Sequence, residues 1–449
     1  MQNLSLRACG LRLRDSRKRP WEKRVRIRET LMSVALASLA IADPTTHSYV
    51  GAGGCESSNC HGGTTPLTET QSRILGNEFA TWTVTDKHSH ASSVLSNARS
   101  KRMIEILRIS DPTTDARCTV CHVVGSPRKT LSDGVACEAC HGPASEWLGS
   151  HLQVKSNSPQ DLAVTHADSV SKGMTDTKRL DVRAKMCLAC HLGRGNQLVD
   201  HELLAAGHPD LAFELDTFTV GQPAHHREPK PVSGNSLPRV RAWAVGQSAA
   251  MAEGMRLLAA HAASRWPEFS DLECYQCHHD LRADSWRIQR GYDNRKPGSL
   301  QVNLARFEVL RELVAVVAPD QSEALDTAMN RLSNVVADNF PSGAAIAKAA
   351  MPIEQAANLL TTRFLSHDFD ETVTREIVHT LRRDIQRIAC AGVNSAEQAT
   401  MSLDALTTAL SPQDHARQQA VTALYNYLEH PSLYNPAEFV ALYVRAAAY

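Results

Sequence analysis

A mainly α fold in two regions, a loop-rich first half and an all-helical second half, follows from three observations. After residue 300, apolar residues recur every three to four positions, the spacing of one buried helix face. No stretch alternates apolar and polar residues for the length of a strand. All five cysteine pairs lie before Pro297 and Gly298, which punctuate the chain. With 449 residues and 43% apolar content, the chain is long enough for a sizeable core and two or three domains.

The amino end has the pattern of an export signal. Residues 1 to 30 hold ten basic side chains against three acidic ones, and Leu31 to Ala42 form an apolar run ending in Ala40-Ile41-Ala42. That predicts a signal peptide over 1–42, cleaved before Asp43. The run falls well short of the roughly 20 residues a spanning helix needs, and no later stretch approaches that length. A soluble mature chain without a transmembrane segment is the expectation.

Residues 43–298 form the first region. In it "REPKPVSGNSLP" (227–238) reads as a loop, and Val240 to Ser264 as a long helix with Trp243, Gln247, Met251, Met255 and Leu258 on one buried face. Residues 299–449 read as helical throughout. Val302, Ala305, Val309, Leu313 and Val316 make a stripe ended by Pro319, and Leu325, Ala328, Leu332, Val335 and Phe340 make another. Further helices are expected near 353–366, 371–390, 396–410 and 413–428, with Ser395 and Gln398 as a capping box. Lysine plus arginine equals aspartate plus glutamate at 48 each, so nothing in the charge balance favours nucleic acid or an anionic membrane.

Cysteine usage is the most informative feature. Of twelve cysteines, ten form five pairs, each followed directly by histidine; Cys9 and Cys390 stand apart. Four pairs have the form C-x-x-C-H: Cys118, Cys121 and His122; Cys137, Cys140 and His141; Cys187, Cys190 and His191; Cys274, Cys277 and His278. Two cysteines three apart lie on one turn of chain, where each can form a thioether to one vinyl group of a porphyrin while the next histidine is delivered to the iron. Chance would supply on the order of 0.01 such matches in a chain of this composition. Disulfides and zinc knuckles are the alternatives, and neither requires a histidine after the second cysteine every time. The pattern predicts covalently attached haem c.

The first pair is stretched: "GGCESSNCHGG" (53–63) separates Cys55 from Cys60 by four residues before His61. Cys60-His61 keeps the part that sets iron ligation, and Cys55 reaches a second vinyl only if "ESSN" loops out. Beside four regular motifs it predicts a fifth haem, the alternatives being a local disulfide or a single thioether.

What fills the second axial position decides between electron carriage and reaction with a substrate. The first region offers eleven further histidines: 47, 88, 90, 151, 166, 201, 208, 225, 226, 261 and 279. His151 follows His141 closely enough to fold back over that haem or a neighbour's. His201 and His208 flank "ELLAAG" at about two helical turns and are expected to serve two haems. His88 has His90 as competitor, and of the adjacent His225 and His226 only one is expected to ligate.

The stretches "FATWTVTDKHSHA" (79–91), "GVACEACHGPASEWLGSHL" (134–152), "CLACHLG" (187–193), "VDHELLAAGHPDLAFEL" (199–215) and "LECYQCHHDL" (272–281) resemble multihaem cytochromes of the cytochrome c-554 class. That class includes a tetrahaem electron carrier and is related to octahaem hydroxylamine oxidoreductase. The resemblance spans roughly 50 to 290. It implies a periplasmic protein with closely stacked haems, most held by two histidines, passing electrons between redox partner proteins. By position, His88, His151, His201, His208 and His225 look like distal ligands. The chain departs from the class in its fifth, stretched motif and its added helical region, and no stretch matches the cross-linking tyrosine environment of hydroxylamine-oxidising relatives.

Two functions are weighed. Electron carriage is favoured by the supply of second ligands. A multihaem oxidoreductase acting on a small nitrogen or sulfur compound needs one iron without a distal histidine, and the stretched site at His61 is then the suspect. The helical region is expected to cover one side of the haem cluster; docking to a membrane-bound or soluble redox partner is its second reading.

Overall fold

The computed structural model describes residues 47–448 apart from 73, 126–133, 154–157, 196, 198, 228–235, 280, 284, 287–295, 297 and 339–340. The expected signal peptide lies outside the described residues, as does most of the 227–238 loop. Among the described residues there is no strand, only isolated bridges such as Val124 to Val135 and Leu272 to Val302. None of their helices is long and apolar enough to cross a membrane.

The first region is a succession of short helices: α1 (Glu78–Thr85), α2 (Ala98–Leu107), α3 (Ala116–His122), α4 (Cys137–His141), α5 (Leu148–His151), α6 (Pro159–Ser171), α7 (Leu180–His191), α8 (His201–Ala206) and α9 (Leu215–Gly221). α10 (Pro238–Arg265) follows, and then α11 (Ala305–Val317), α12 (Pro319–Ala337), α13 (Gly343–Ser366), α14 (Glu371–Ala391), α15 (Val393–Leu410), α16 (His415–Leu428) and α17 (Pro436–Ala446).

α10 is the axis of the molecule. Pro238 sits at its first turn, where a missing N–H costs nothing. The sequence predicts a single buried face, but every residue from Trp243 to Ala252 is buried. Small side chains make this feasible, because neighbours approach closely on several sides. A Cβ added to Gly246 would lie 2.6 Å from the Leu215 Cβ. α10 packs on α7 and α9 in the first region and on α11, α13 and α15 in the second. Its apolar residues join those of α11 to α17 in one core, from Val240 and Trp243 through Leu313 and Phe364 to Phe439 and Tyr443.

Three boundaries differ from expectation. α13 runs through Pro352, because that residue is exposed and the Ala-rich turn before it continues the helix. α15 begins at Val393, not at a Ser395 capping box; Gly392, at φ 130°, is the whole link between α14 and α15. Ser395 and Gln398 are helical and buried, and Gln398 donates to the Phe213 carbonyl at 3.0 Å. α17 was not foreseen, although Asn435 accepting from Ala437 and Glu438, with Pro436 behind it, is a sequence-level helix start.

Candidate functional site

Three regular motifs occupy the last turn of a helix: α3 ends at His122, α4 at His141 and α7 at His191. A helical turn puts cysteines three apart on one face and delivers the next histidine beyond them. Cys274 opens a 3₁₀ turn instead, and Cys55 closes one. After Cys55 the "ESSN" segment does loop out. Cys60 and Gly62 both donate backbone bonds to the Ser57 carbonyl, at 2.8 and 3.0 Å.

Four of the five motif histidines face a second histidine. Ring centres are 6.1 Å apart for His61 and His151, 6.2 Å for His191 and His88, 6.3 Å for His122 and His208, and 6.2 Å for His278 and His201. Two imidazoles on opposite sides of one metal, with metal–nitrogen bonds of about 2 Å and roughly 1 Å more to each ring centre, sit about 6 Å apart. The interplanar angles, by contrast, scatter over 16°, 89°, 77° and 33°. Trans ligands on a common axis have this property, with separation fixed and rotation free. Aromatic pairs packed for their own sake spread over about 4.5–7 Å. The residues therefore fit iron porphyrin between each pair.

Four of these eight rings, and His225, have Nδ1 engaged, which leaves Nε2 to bind. His61 Nδ1 pairs with Glu78 at 3.0 Å and His88 Nδ1 with Asp86 at 2.9 Å. His122, His208 and His225 turn Nδ1 to the carbonyls of Ala91, Pro209 and Pro223, at 2.7, 2.8 and 3.2 Å. Hydrogen bonding to the carboxylates raises His61 and His88 above the usual imidazole value against the pull of burial. Burial lowers His191 to about 4, and lowers His151, His208 and His225 as well.

His151 thus faces a neighbouring motif, not its own. α8 ends at Ala206, because Gly207 takes the left-handed conformation at φ 113°, so His201 and His208 do not share a helix. They still address different motifs. His90 is exposed while His88 is half-buried, with its ring against Asp86 and His191. His141 has no ring partner at this spacing among the described residues; burial holds it at about 4, and His225 is the first of the histidines whose charge adds to that. His225 stacks edge-on against His226 at 5.2 Å.

The ten motif cysteines form no disulfide, and no three His, Cys, Asp or Glu side chains of the described residues converge as zinc would need. Cysteines of different motifs adjoin. Cys55 lies against Cys137, and Cys121 against Cys190. Buried Glu138, inside the third motif, accepts from the backbone of Val50, Gly51 and Ala144 at 3.0, 2.7 and 2.7 Å, tying the approach to the first motif onto the third.

Sequence reasoning missed the carboxylates behind the histidines. Asp86 has a local signal, two residues before His88; Glu78, seventeen residues from His61, has none. Asp86 is buried, which opposes ionisation, yet hydrogen bonds from the His88 ring and backbone and from Gln222 bring it from 3.8 to about 2. A depressed carboxylate contributes stability above its unfolded value and loses it as pH falls through its folded one. Between pH 4 and pH 2, about 2 kcal/mol should be lost from this group. Acid unfolding of Asp86→Asn should lack that component; an unchanged acid limb would contradict it.

Histidines and cysteines so arranged, on short helices around one α core, are the construction of a c-type cytochrome, which holds haem covalently. Residues 55–142 match the family described as cytochrome c554 and c-prime, so that stretch is cytochrome c554-like. The match takes in the first three motifs and is narrower than the resemblance read along 50 to 290. No curated protein and no solved structure matches the chain.

Proposed function

We propose that the protein is a periplasmic multihaem c-type cytochrome that carries electrons between redox partner proteins. About five haem c groups, attached through Cys55 and Cys60, Cys118 and Cys121, Cys137 and Cys140, Cys187 and Cys190, and Cys274 and Cys277, supply one-electron chemistry when bound. The chain contributes their ligands, their spacing and their exclusion from water. His61 pairs with His151, His122 with His208, His191 with His88 and His278 with His201; His141 pairs with His225. The recurring 6.1–6.3 Å ring separation carries this reading, since two histidines that would hold one iron between them would leave it no position for a substrate.

Motif adjacency supports carriage as well. Cysteine contacts link the first motif to the third and the fourth to the second. α8 and the turn after it present His201 to the fifth motif and His208 to the second. Export rests on the residue 1–42 pattern.

The test is the intact mass of the exported protein with its haem-to-chain ratio and its optical and paramagnetic resonance spectra. Five covalent haems on a chain beginning at Asp43, all or nearly all low-spin, is the expected result. Pigment that extracts into acid acetone would overturn it. The second reading is an oxidoreductase with the stretched site at His61 as suspect; the 6.1 Å spacing of His61 and His151 speaks for carriage there, and His141 lacks a ring partner at that spacing among the described residues. One high-spin haem that binds cyanide in the unmodified protein would favour it.

A further inference from the structure

α2 and the residue that ends it carry Arg99, Lys101, Arg102 and Arg108 against one acid, Glu105. All four basic side chains are exposed, and none is in an ion pair or side-chain hydrogen bond with a described residue. The chain as a whole balances 48 basic against 48 acidic residues, so this cluster is a local departure and not part of a generally basic surface.

The local structure holds the cluster outward. Asn97 caps the helix by accepting from the Ser100 N–H at 2.8 Å. Met103, Ile104 and Leu107 are half-buried and form the inner side, which packs on α8 and on the turn over Ser93–Ser96; Arg99, Lys101 and Arg102 take the rest of the circumference. Arg108 ends the helix in the left-handed conformation at φ 55°, the one non-glycine with positive φ among the described residues. Glycine is favoured there, yet the chain keeps a basic side chain.

The helix also stands beside the second motif. A Cβ added to Gly207, the residue before His208, would lie 3.9 Å from Met103 Cγ. The charge of Arg99 reaches the His208 ring, which stands 6.3 Å from His122. Cations fixed beside one redox centre steer an anionic body to that centre and orient it there. The apolar side of α2 is already packed and only Ile106 is apolar outside, so no apolar face is left to enter a bilayer.

We infer that the outer side of α2 docks an acidic one-electron carrier protein, which exchanges electrons with the haem attached at Cys118 and Cys121. This rests on the proposed haem content and names the partner of that carriage. One electron passes and no bond forms: the carrier is oxidised and the iron at His122 reduced, or the reverse when the carrier is the acceptor.

The experiment follows reduction of the haem-loaded protein by reduced plant-type ferredoxin, an acidic one-electron carrier of low potential. The rate should fall as salt screens the charges. Arg99→Glu/Lys101→Glu/Arg102→Glu should slow it about tenfold at low salt and remove most of its salt dependence. Arg108→Gly, which suits the left-handed backbone, should slow it about twofold with no loss of stability. Reduction by the neutral semiquinone of lumiflavin should stay unchanged in both. Arg331→Glu/Lys348→Glu/Arg382→Glu, the same charge change at exposed positions of the helical region, should leave the ferredoxin rate near wild type. An α2 triple variant at full haem content that ferredoxin reduces as fast as wild type would overturn the inference, as would an equal loss in the control triple. Sedimentation with phosphatidylserine vesicles that the α2 triple loses at an unchanged ferredoxin rate would overturn it in favour of a membrane. A wild-type chain without covalent haem would instead remove the haem reading.

Discussion

Replacing His88 by alanine is expected to turn one haem of the set from low-spin to high-spin and to create one cyanide-binding iron per chain, whereas His90→Ala does neither. The two residues are near neighbours in "KHSHA", and composition cannot separate them. The fold does. His88 stands 6.2 Å from the His191 ring with Nδ1 fixed by Asp86, while His90 points to solvent. Alanine leaves the iron opposite His191 with one protein ligand, and no other histidine ring stands against His191 among the described residues; its other ring neighbours are Phe213 and Phe218. Asp86→Asn should give a partial version, since losing the group that orients a ligand weakens binding by about 10–100-fold. A His88→Ala protein whose paramagnetic resonance spectrum stays wholly low-spin would remove His88 from the ligand set.

The second large effect is expected from a single methyl group. A Cβ at Gly62 would lie 1.7 Å from the Glu56 carbonyl oxygen and 2.5 Å from its carbon, and these are backbone atoms that cannot swing aside. Gly62→Ala must therefore open the turn that lets "ESSN" loop out, breaking the Gly62 bond to Ser57 and separating Cys55 from Cys60-His61. The expected outcome is a chain lighter by one haem, or one attached through a single thioether. Destabilisation should be about 3 kcal/mol, at the large end for one substitution. Full haem content with an unchanged unfolding midpoint would mean that the turn is not what holds the stretched motif.

These two cases show where sequence was informative. The cysteine motifs are local, five or seven consecutive residues, and are legible because attachment demands fixed spacing. The stripe through Leu325 and Leu332 is legible for a similar reason: α12 buries mainly one side. α10 is read in place, with Trp243, Gln247, Met251, Met255 and Leu258 all buried, but burial all round over Trp243 to Ala252 carries no single-face signal; Pro352 misled because a proline on an exposed face can be carried inside a helix. Which histidine faces which motif depends on contacts such as His61 to His151, across ninety residues, and nothing in either local stretch specifies them. Setting helped with candidates and not with pairing: the same reasoning that singled out His151 left open whose iron it served.

The long central helix has one more implication. Its side chains belong at once to the packing of the carboxy-terminal bundle and to the shoulder of α7 and α9, where His191 and Phe213 lie. A lesion at the far end, such as loss of the buried Tyr443 ring, would then loosen the seats of the redox groups along with the bundle. Heating should shift the haem absorption band and remove helicity together, as one cooperative unit.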